Sequence, residues 1–255
     1  MLFRKDPKVS GKEHYQHVYQ HDLQDQAEWL RRGAIEKVNS IEQLLKRNHI
    51  RPKTLLELGC GTGAVIMECQ RRGLAERYIA VDSSQEAIQY LSRNSAGIKA
   101  IVADITASES LLEECDVLVL THVIEHLEEP LEFLQSLRGL QFSCLIAEVP
   151  LEDLLGGRLK ALFSDRTRNA AGHVQFYTAR SFEHLLSSSG FVIDDTRKYV
   201  PILDSDTIRL VCKMNGWGLL RRIRIAVTAR LVLPVLSPLW SRLYYAHYAA
   251  ICRKH

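Results

Sequence analysis

The residue types best suited to chemistry sit in one short run, Glu57-Leu58-Gly59-Cys60-Gly61-Thr62-Gly63, followed by Asp82 at the end of Ile79-Ala80-Val81-Asp82. Glycines at every second position let the backbone pass close to a ligand, where a Cβ would collide with it. A helix that begins directly after such a turn presents free N–H groups and a positive dipole end to whatever sits on the turn. Asp82, about 20 residues beyond the turn, stands where a carboxylate can accept bonds from both hydroxyls of a ribose. The pattern predicts a nucleoside site.

Gly59-Cys60-Gly61-Thr62-Gly63-Ala64 also satisfies the dinucleotide pattern G-x-G-x-x-G/A. Glu57 decides between the two readings. Its carboxylate at the strand end would repel a pyrophosphate and attract a ligand ammonium. The run Glu57-x-Gly59-x-Gly61-x-Gly63 resembles the first motif of class I S-adenosylmethionine-dependent methyltransferases, whose ligand carries an amino-acid moiety and a sulfonium. Ile101-Val102-Ala103-Asp104-Ile105 resembles that family's third motif, and Cys115 to Leu127 its fourth strand and post-strand motif. Gly172-His173-Val174-Gln175-Phe176-Tyr177-Thr178, with a helix to Gly190-Phe191, resembles the approach to the last two strands. The resemblance spans roughly residues 50–215 and implies S-adenosylmethionine as cofactor. It places the amino-acid part near Glu57 and Gly59, the ribose on Asp82 and the adenine near Asp104 and Ile105, with Cys60, Gly61, Gly63, Ser83 and Thr121 as further cofactor-binding residues.

The elements that must position these residues read as follows. Residues 1–50 form a helical N-terminal segment, with a helix over Ala27–Leu45 and with Tyr15, Tyr19 and Trp29 as candidates to close over the cofactor. Residues 51–215 form the cofactor-binding domain. Strands are predicted at 54–58, 77–82, 99–103, 115–121 and 144–149, and helices around 63–73, 84–93 and 130–139. This alternation gives an α/β, doubly wound, mostly parallel sheet, the Rossmann-like methyltransferase fold, with ligands at the carboxyl ends of the strands. A long loop is expected over 151–171. Phe191-Val192-Ile193 and Ile208–Cys212 read as the last strand pair. Residues 216–255 read as a basic, apolar, helical C-terminal extension, broken at Pro234 and Pro238.

Composition sets the outer bounds. The 255 residues suit one well-buried domain with appendages, and 46% apolar and 25% charged residues are ordinary for a globular chain. The six cysteines show no C-x-x-C pair, which argues for a reducing compartment and makes the cytoplasm the expected address. The net charge of +3 hides an asymmetry. Beyond Asp206 the chain carries nine basic residues and no acid, so the preceding part is acidic. The tail's aromatics (Trp217, Trp240, Tyr244, Tyr245, Tyr248) and arginines suit peripheral contact with an anionic membrane, or packing on the domain or on a second subunit in a homodimer.

Methyl transfer from a sulfonium requires alignment, exclusion of water and, for a hydroxyl acceptor, removal of a proton. His122, Glu148 and His173 are the candidate catalytic residues. His122-Val123-Ile124-Glu125-His126 is similar to the strand-end segment of ubiquinone-biosynthesis O-methyltransferases, where two glutamates and a histidine can hold a divalent ion. Histidine replaces the first glutamate here, and Glu-His-Leu is frequent in methyltransferases without metal; no metal is expected. Leu145–Asp153 and Glu28–Ala34 resemble a bacterial methyltransferase group often linked to surface-glycan synthesis. The leading reading is O-methylation of a small molecule or glycan intermediate. A nucleic-acid methyltransferase is the alternative, although neither an Asn-Pro-Pro-Tyr motif nor a Pro-Cys dipeptide is present, and no nucleic-acid partner is expected. A cofactor-binding module that has lost catalysis is the third reading.

Overall fold

A computed structural model of the chain describes Tyr19 and residues 23–106, 114–162, 172–201, 205–214, 216–218, 220, 223, 225, 227, 239–243 and 245–255. Tyr15, Tyr244, Arg221, Arg222, Arg224, Arg230, Pro234 and Pro238 lie outside the described residues, as do 163–171 of the expected 151–171 loop. The first part of that stretch is not a loop, since it ends a strand at Leu151 and forms a helix over Leu155–Ala161. The elements are α1 (Leu23–Arg47), β1 (Thr54–Leu58), α2 (Ala64–Arg71), β2 (Arg77–Asp82), α3 (Gln85–Asn94), β3 (Ile98–Val102) and β4 (Val117–Thr121). They continue with α4 (Pro130–Ser136), β5 (Cys144–Leu151), α5 (Leu155–Ala161), α6 (Ala179–Ser188), β6 (Phe191–Tyr199), α7 (Ser205–Met214) and β7 (Ala246–Lys254).

Seven strands form one sheet in the order β3-β2-β1-β4-β5-β7-β6. The pairs among β1 to β5 are parallel, while β7 runs antiparallel to both β5 and β6. The chain leaves β1 toward β2 and β3 and returns on its other side as β4, so the order reverses between β1 and β4. Ligands bind at such a switch point in an open α/β sheet.

Successive strand residues point to opposite faces, and both faces are covered. Leu56, Leu58, Leu118, Leu120, Leu145 and Ala147 pack against Phe133 and Leu134 of α4 and Phe182 and Leu186 of α6. Leu55, Val117, Val119, Ile146, Ala249 and Ile251 meet Val38, Ile41 and Leu44 of α1 and Ile66 of α2. Helix α1 is fastened at its outer side: Arg197 of β6 donates to the Ser40 hydroxyl at 2.5 Å, and Arg47 pairs with Asp195 at 2.7 Å. At the opposite end of the strands, one Asp116 oxygen accepts from the Lys53 and Thr54 N–H groups, both at 2.8 Å, and locks the start of β1 beside β4.

Two expectations fail at the C-terminal side. Residues 208–212 are helical, within α7, where Ile208 and Cys212 bury one face against Trp217 and Ile225 at helical spacing. The final strand is instead Ala246–Lys254, so residues 216–255 are not wholly a helical extension. Its alanines carry little strand propensity, yet Ala249 and Ala250 are fully buried between two neighbouring strands, and Ala246 is fully buried beside β5. Burial on both faces decides the conformation here, and propensity does not.

Because β7 bridges β5 and β6, its loss should open the sheet. Truncation after Tyr245 is expected to abolish the cooperative thermal transition seen by circular dichroism. A truncated chain melting within a few degrees of the full chain would show that β7 is dispensable.

Candidate active site

The register of the strands brings the chemistry to one face. Glu57 lies opposite Ala80 of β2 and Val119 of β4. Two residues further along those strands, on the same side, come Asp82 and Thr121. Thr121 faces Glu148 on β5, which faces Ala249 on β7; His247, two residues away, is paired with Tyr199 of β6. Glu57, Thr121, Glu148, His247 and Tyr199 thus form a polar row on the side of the sheet covered by α1. Lys37 of α1 faces it. A cavity of about 710 Å³ opens along the strand ends, within the range of about 300–1,000 Å³ usual for small-molecule sites.

Glu57 is 2% exposed, and its carboxylate joins three elements. One oxygen accepts the Ile66 N–H in the first turn of α2 at 3.0 Å, and the other accepts the Thr121 hydroxyl at 3.2 Å. It is therefore more than the ligand-facing charge expected from the sequence. Asp82 is oriented in the same way, its two oxygens accepting from the Gly61 N–H at 2.7 Å and the Ser84 N–H at 2.9 Å. A carboxylate has about four acceptor positions, so Asp82 keeps acceptor capacity toward the cavity. Asp104 accepts both the N–H and the hydroxyl of Thr106, at 3.0 and 2.8 Å.

Glu57, Gly59, Cys60, Gly61, Asp82, Ser83, Asp104, Ile105 and Thr121 all line the cavity. Gly63 does not. It precedes α2 with φ +79°, and Leu91 occupies the space a Cβ would need. Gly61, at φ +53°, has the Tyr19 hydroxyl where its Cβ would stand, so the Tyr19 side chain lies against the turn. Leu30, rather than Trp29, lines the wall beside it.

Of the three catalytic candidates, only His122 lines the cavity. It adopts a left-handed backbone conformation, φ 57°, which is uncommon for a residue with a side chain and concentrates at functional sites. Its Nε2 lies 3.3 Å from His247 Nδ1 and 3.5 Å from Glu148 Oε1, and its Nδ1 lies 3.3 Å from Glu125 Oε1. Glu148 stands behind it, fully buried, accepting from the Tyr199 hydroxyl at 2.8 Å and facing His247 Nδ1 at 3.2 Å. His173 is set back as well, its Nδ1 2.6 Å from Glu152.

Burial pushes the Glu148 carboxyl up, but the hydrogen bonds from His122 and His247 outweigh it and hold the group well below the usual range. Burial, with the Lys37 and His247 charges, drives His122 well below 6.5, so the pair is an ionised carboxylate behind a neutral imidazole. Lys37 is itself lowered by burial, against the pull of Glu148, Glu125 and Glu57. Lys37, His247 and Tyr199 are absent from the sequence-based site. Only the register of β7, itself missed, could have placed His247 and Tyr199 beside Glu148.

The family model described as a methyltransferase domain matches residues 13–196, nearly three quarters of the chain. The chain belongs to this family. It is an S-adenosylmethionine-dependent methyltransferase. Solved structures of similar fold include the plantazolicin methyltransferase BamL with a triazolic desmethylPZN analog and SAH. It is 16% identical over 96% of both chains, with TM-score 0.59. Magnesium protoporphyrin IX methyltransferase from Synechocystis PCC 6803, also with SAH, is 14% identical over 86% of this chain and 83% of its own, with TM-score 0.56. Coclaurine N-methyltransferase is 16% identical over 87% and 72%, with TM-score 0.56. At these identities the likeness shows the fold alone. No curated protein matches the methyltransferase in sequence.

Burial raises the Glu57 carboxyl to about 8, against the opposing Lys37 charge and the two hydrogen bonds. The folded chain then holds a proton that the unfolded chain loses near 4.5, so this group's contribution to stability falls as pH rises from 4.5 to about 8. A ligand ammonium beside Glu57 favours the ionised form. Binding of S-adenosylhomocysteine at pH 7 should therefore release up to about one proton, read calorimetrically in buffers of different ionisation heat. Glu57→Gln should abolish the release; an unchanged release would place the proton elsewhere.

Proposed function

We propose that the methyltransferase transfers the methyl group to a hydroxyl of a small molecule or glycan intermediate. The observation that carries this reading is the His122–Glu148 pair at the end of β4, beside the wall formed by Glu57 and Thr121. The cofactor would lie along the glycine turn, with its ribose on Asp82, its adenine at Asp104 and Ile105, and its amino-acid part toward Glu57. The acceptor would then approach from the β4 side. Its hydroxyl would replace the long contact between His122 Nδ1 and Glu125 and give its proton to the neutral imidazole. Ionised Glu148 would stabilise the imidazolium formed. His173, set back from the cavity, fits a supporting role.

The cavity mouth supports a neutral acceptor over a polyanion. Exposed Glu128, Glu129 and Glu132 line it and would repel a phosphate backbone. This favours a sugar or other small hydroxyl compound over nucleic acid. The acceptors of the similar structures are no guide, since they range from a plantazolicin analog to a magnesium porphyrin.

A cytoplasmic location with peripheral membrane contact accompanies this reading. Leu220, Ile223 and Val227 are exposed at helical spacing, as are Leu239 and Leu243. In the sequence, arginines lie between and around them. No described helix is long and apolar enough to cross a membrane, so contact would be along the surface. Full-length protein should co-sediment with anionic vesicles at low salt and be released by high salt. Failure to pellet would leave the exposed apolar residues to pack against protein.

His122→Ala is expected to lower turnover about 100-fold or more while leaving S-adenosylhomocysteine affinity within a factor of two. Turnover and affinity both unchanged would return His122 to a structural role. Tight cofactor binding with no transfer to any hydroxyl, amine or thiol acceptor would support the reading of lost catalysis.

A further inference from the structure

The 3₁₀ turn Ile124–His126 and the segment Gly172–Tyr177 are stitched together. The Glu125 carbonyl accepts from the Val174 and Gln175 N–H groups at 2.9 and 3.0 Å. This brings the Glu125 carboxylate, His126 and His173 together, with one ligand-capable atom from each within 4.8 Å of the others. The two imidazole rings lie 4.9 Å apart, edge to face.

We propose that Glu125, His126 and His173 bind a divalent first-row transition metal ion. Glu125 is fully buried, and among the described residues neither carboxylate oxygen accepts a hydrogen bond; His122 Nδ1 lies 3.3 Å from Oε1. A buried carboxylate without partners is costly unless a cation meets it. Each histidine is also held as a metal ligand is usually held. His126 Nδ1 lies 3.1 Å from the Gly172 carbonyl oxygen, and His173 Nδ1 lies 2.6 Å from Glu152. An acceptor on Nδ1 fixes that nitrogen as the donor and directs Nε2 as the ligand atom. Two imidazoles and one carboxylate suit zinc, iron or cobalt over magnesium. With bonds of about 2.1 Å the ligand atoms would stand roughly 3–3.4 Å apart, so the side chains close by about an ångström on binding.

This set differs from the 122/125/126 run of the sequence, because His173 arrives from a distant segment. The second group, His122, Glu148 and His247, is the poorer site: Glu148 Oε1 already takes the Tyr199 hydroxyl and faces both imidazoles. His126 lines the cavity, so a bound ion would sit at its wall with open positions. If the hydroxyl-acceptor reading holds, the ion could take the acceptor oxygen; the metal site itself does not depend on that reading.

The test is metal binding by tag-free, chelator-stripped, full-length protein, titrated with Zn²⁺ by calorimetry and with Co²⁺ by visible absorption. One equivalent should bind, with ligand-field bands for Co²⁺. Glu125→Gln and His173→Gln should each weaken binding at least tenfold, and Glu152→Gln should weaken it by about 10–100-fold by freeing the His173 ring. Circular dichroism of each variant without metal checks folding, and any one folded variant decides the matter. No stoichiometric binding would overturn the proposal. So would binding that survives these substitutions but is lost in His247→Gln. Because neither readout involves methyl transfer, failure here leaves the hydroxyl-acceptor reading untouched, and loss of that reading leaves this result standing.

Discussion

Much of the site hangs on the Glu57 carboxylate, buried at the end of β1. Its two oxygens hold the first turn of α2 and the end of β4, the elements on either side of the switch point. An unmade hydrogen bond at either oxygen would cost about 1–3 kcal/mol in such a setting. The glycine turn is consequently fixed in height above the sheet. Gly59 and Gly61, both with positive φ, pass under Val123 and Tyr19. Burial raises the same carboxyl to about 8, so a cation placed beside it would have to draw off its proton.

From Glu57 the polar row runs across β4, β5, β7 and β6 beneath α1. Burying so many ionisable groups on one face is tolerable only because they answer one another. Lys37 faces Glu57, Glu125 and Glu148, while Tyr199, His122 and His247 gather on a single Glu148 oxygen. The opposite face of the same strands is apolar, with Leu56, Leu118, Leu145 and Ala147 in contact with α4 and α6. Both faces of the sheet thus carry apolar cores, and the α1 face adds a row of ionisable groups toward the strand ends. The low dielectric of the charged side strengthens every interaction that could act on a reacting methyl group.

The stretch from Glu57 to Asp82 was legible as one wall of the cavity because it is local. A strand, a glycine turn, a helix and an acidic strand end all lie within Thr54–Asp82, and spacing along the chain fixes them in space. The β1 to β5 boundaries were close for the same reason, since apolar runs bounded by turns are local signals. The cluster around Glu148 was not legible. Glu148 and His247 are 99 residues apart and meet only through the β5–β7 pairing. That pairing was hidden by the alanine-rich sequence of β7 and by the strand-like run Ile208–Cys212, which coils into α7 because its alternate apolar residues also fit a helix. Nothing in the sequence sets Lys37 apart from the other charged residues of α1. Its approach to three carboxylates depends on how α1 lies on the sheet, which no helical period reveals.

The turn between Glu57 and Asp82 suits a nucleoside bearing an amino-acid moiety rather than a pyrophosphate. Equilibrium titration of S-adenosylhomocysteine against the intact chain and Asp82→Ala tests it most directly, with NAD⁺ as competitor. The account predicts one site, no displacement by NAD⁺, and a loss of about 1.5–3 kcal/mol in the variant as the ribose loses its charged acceptor. Tight binding of NAD⁺ with none of the homocysteine nucleoside would contradict it.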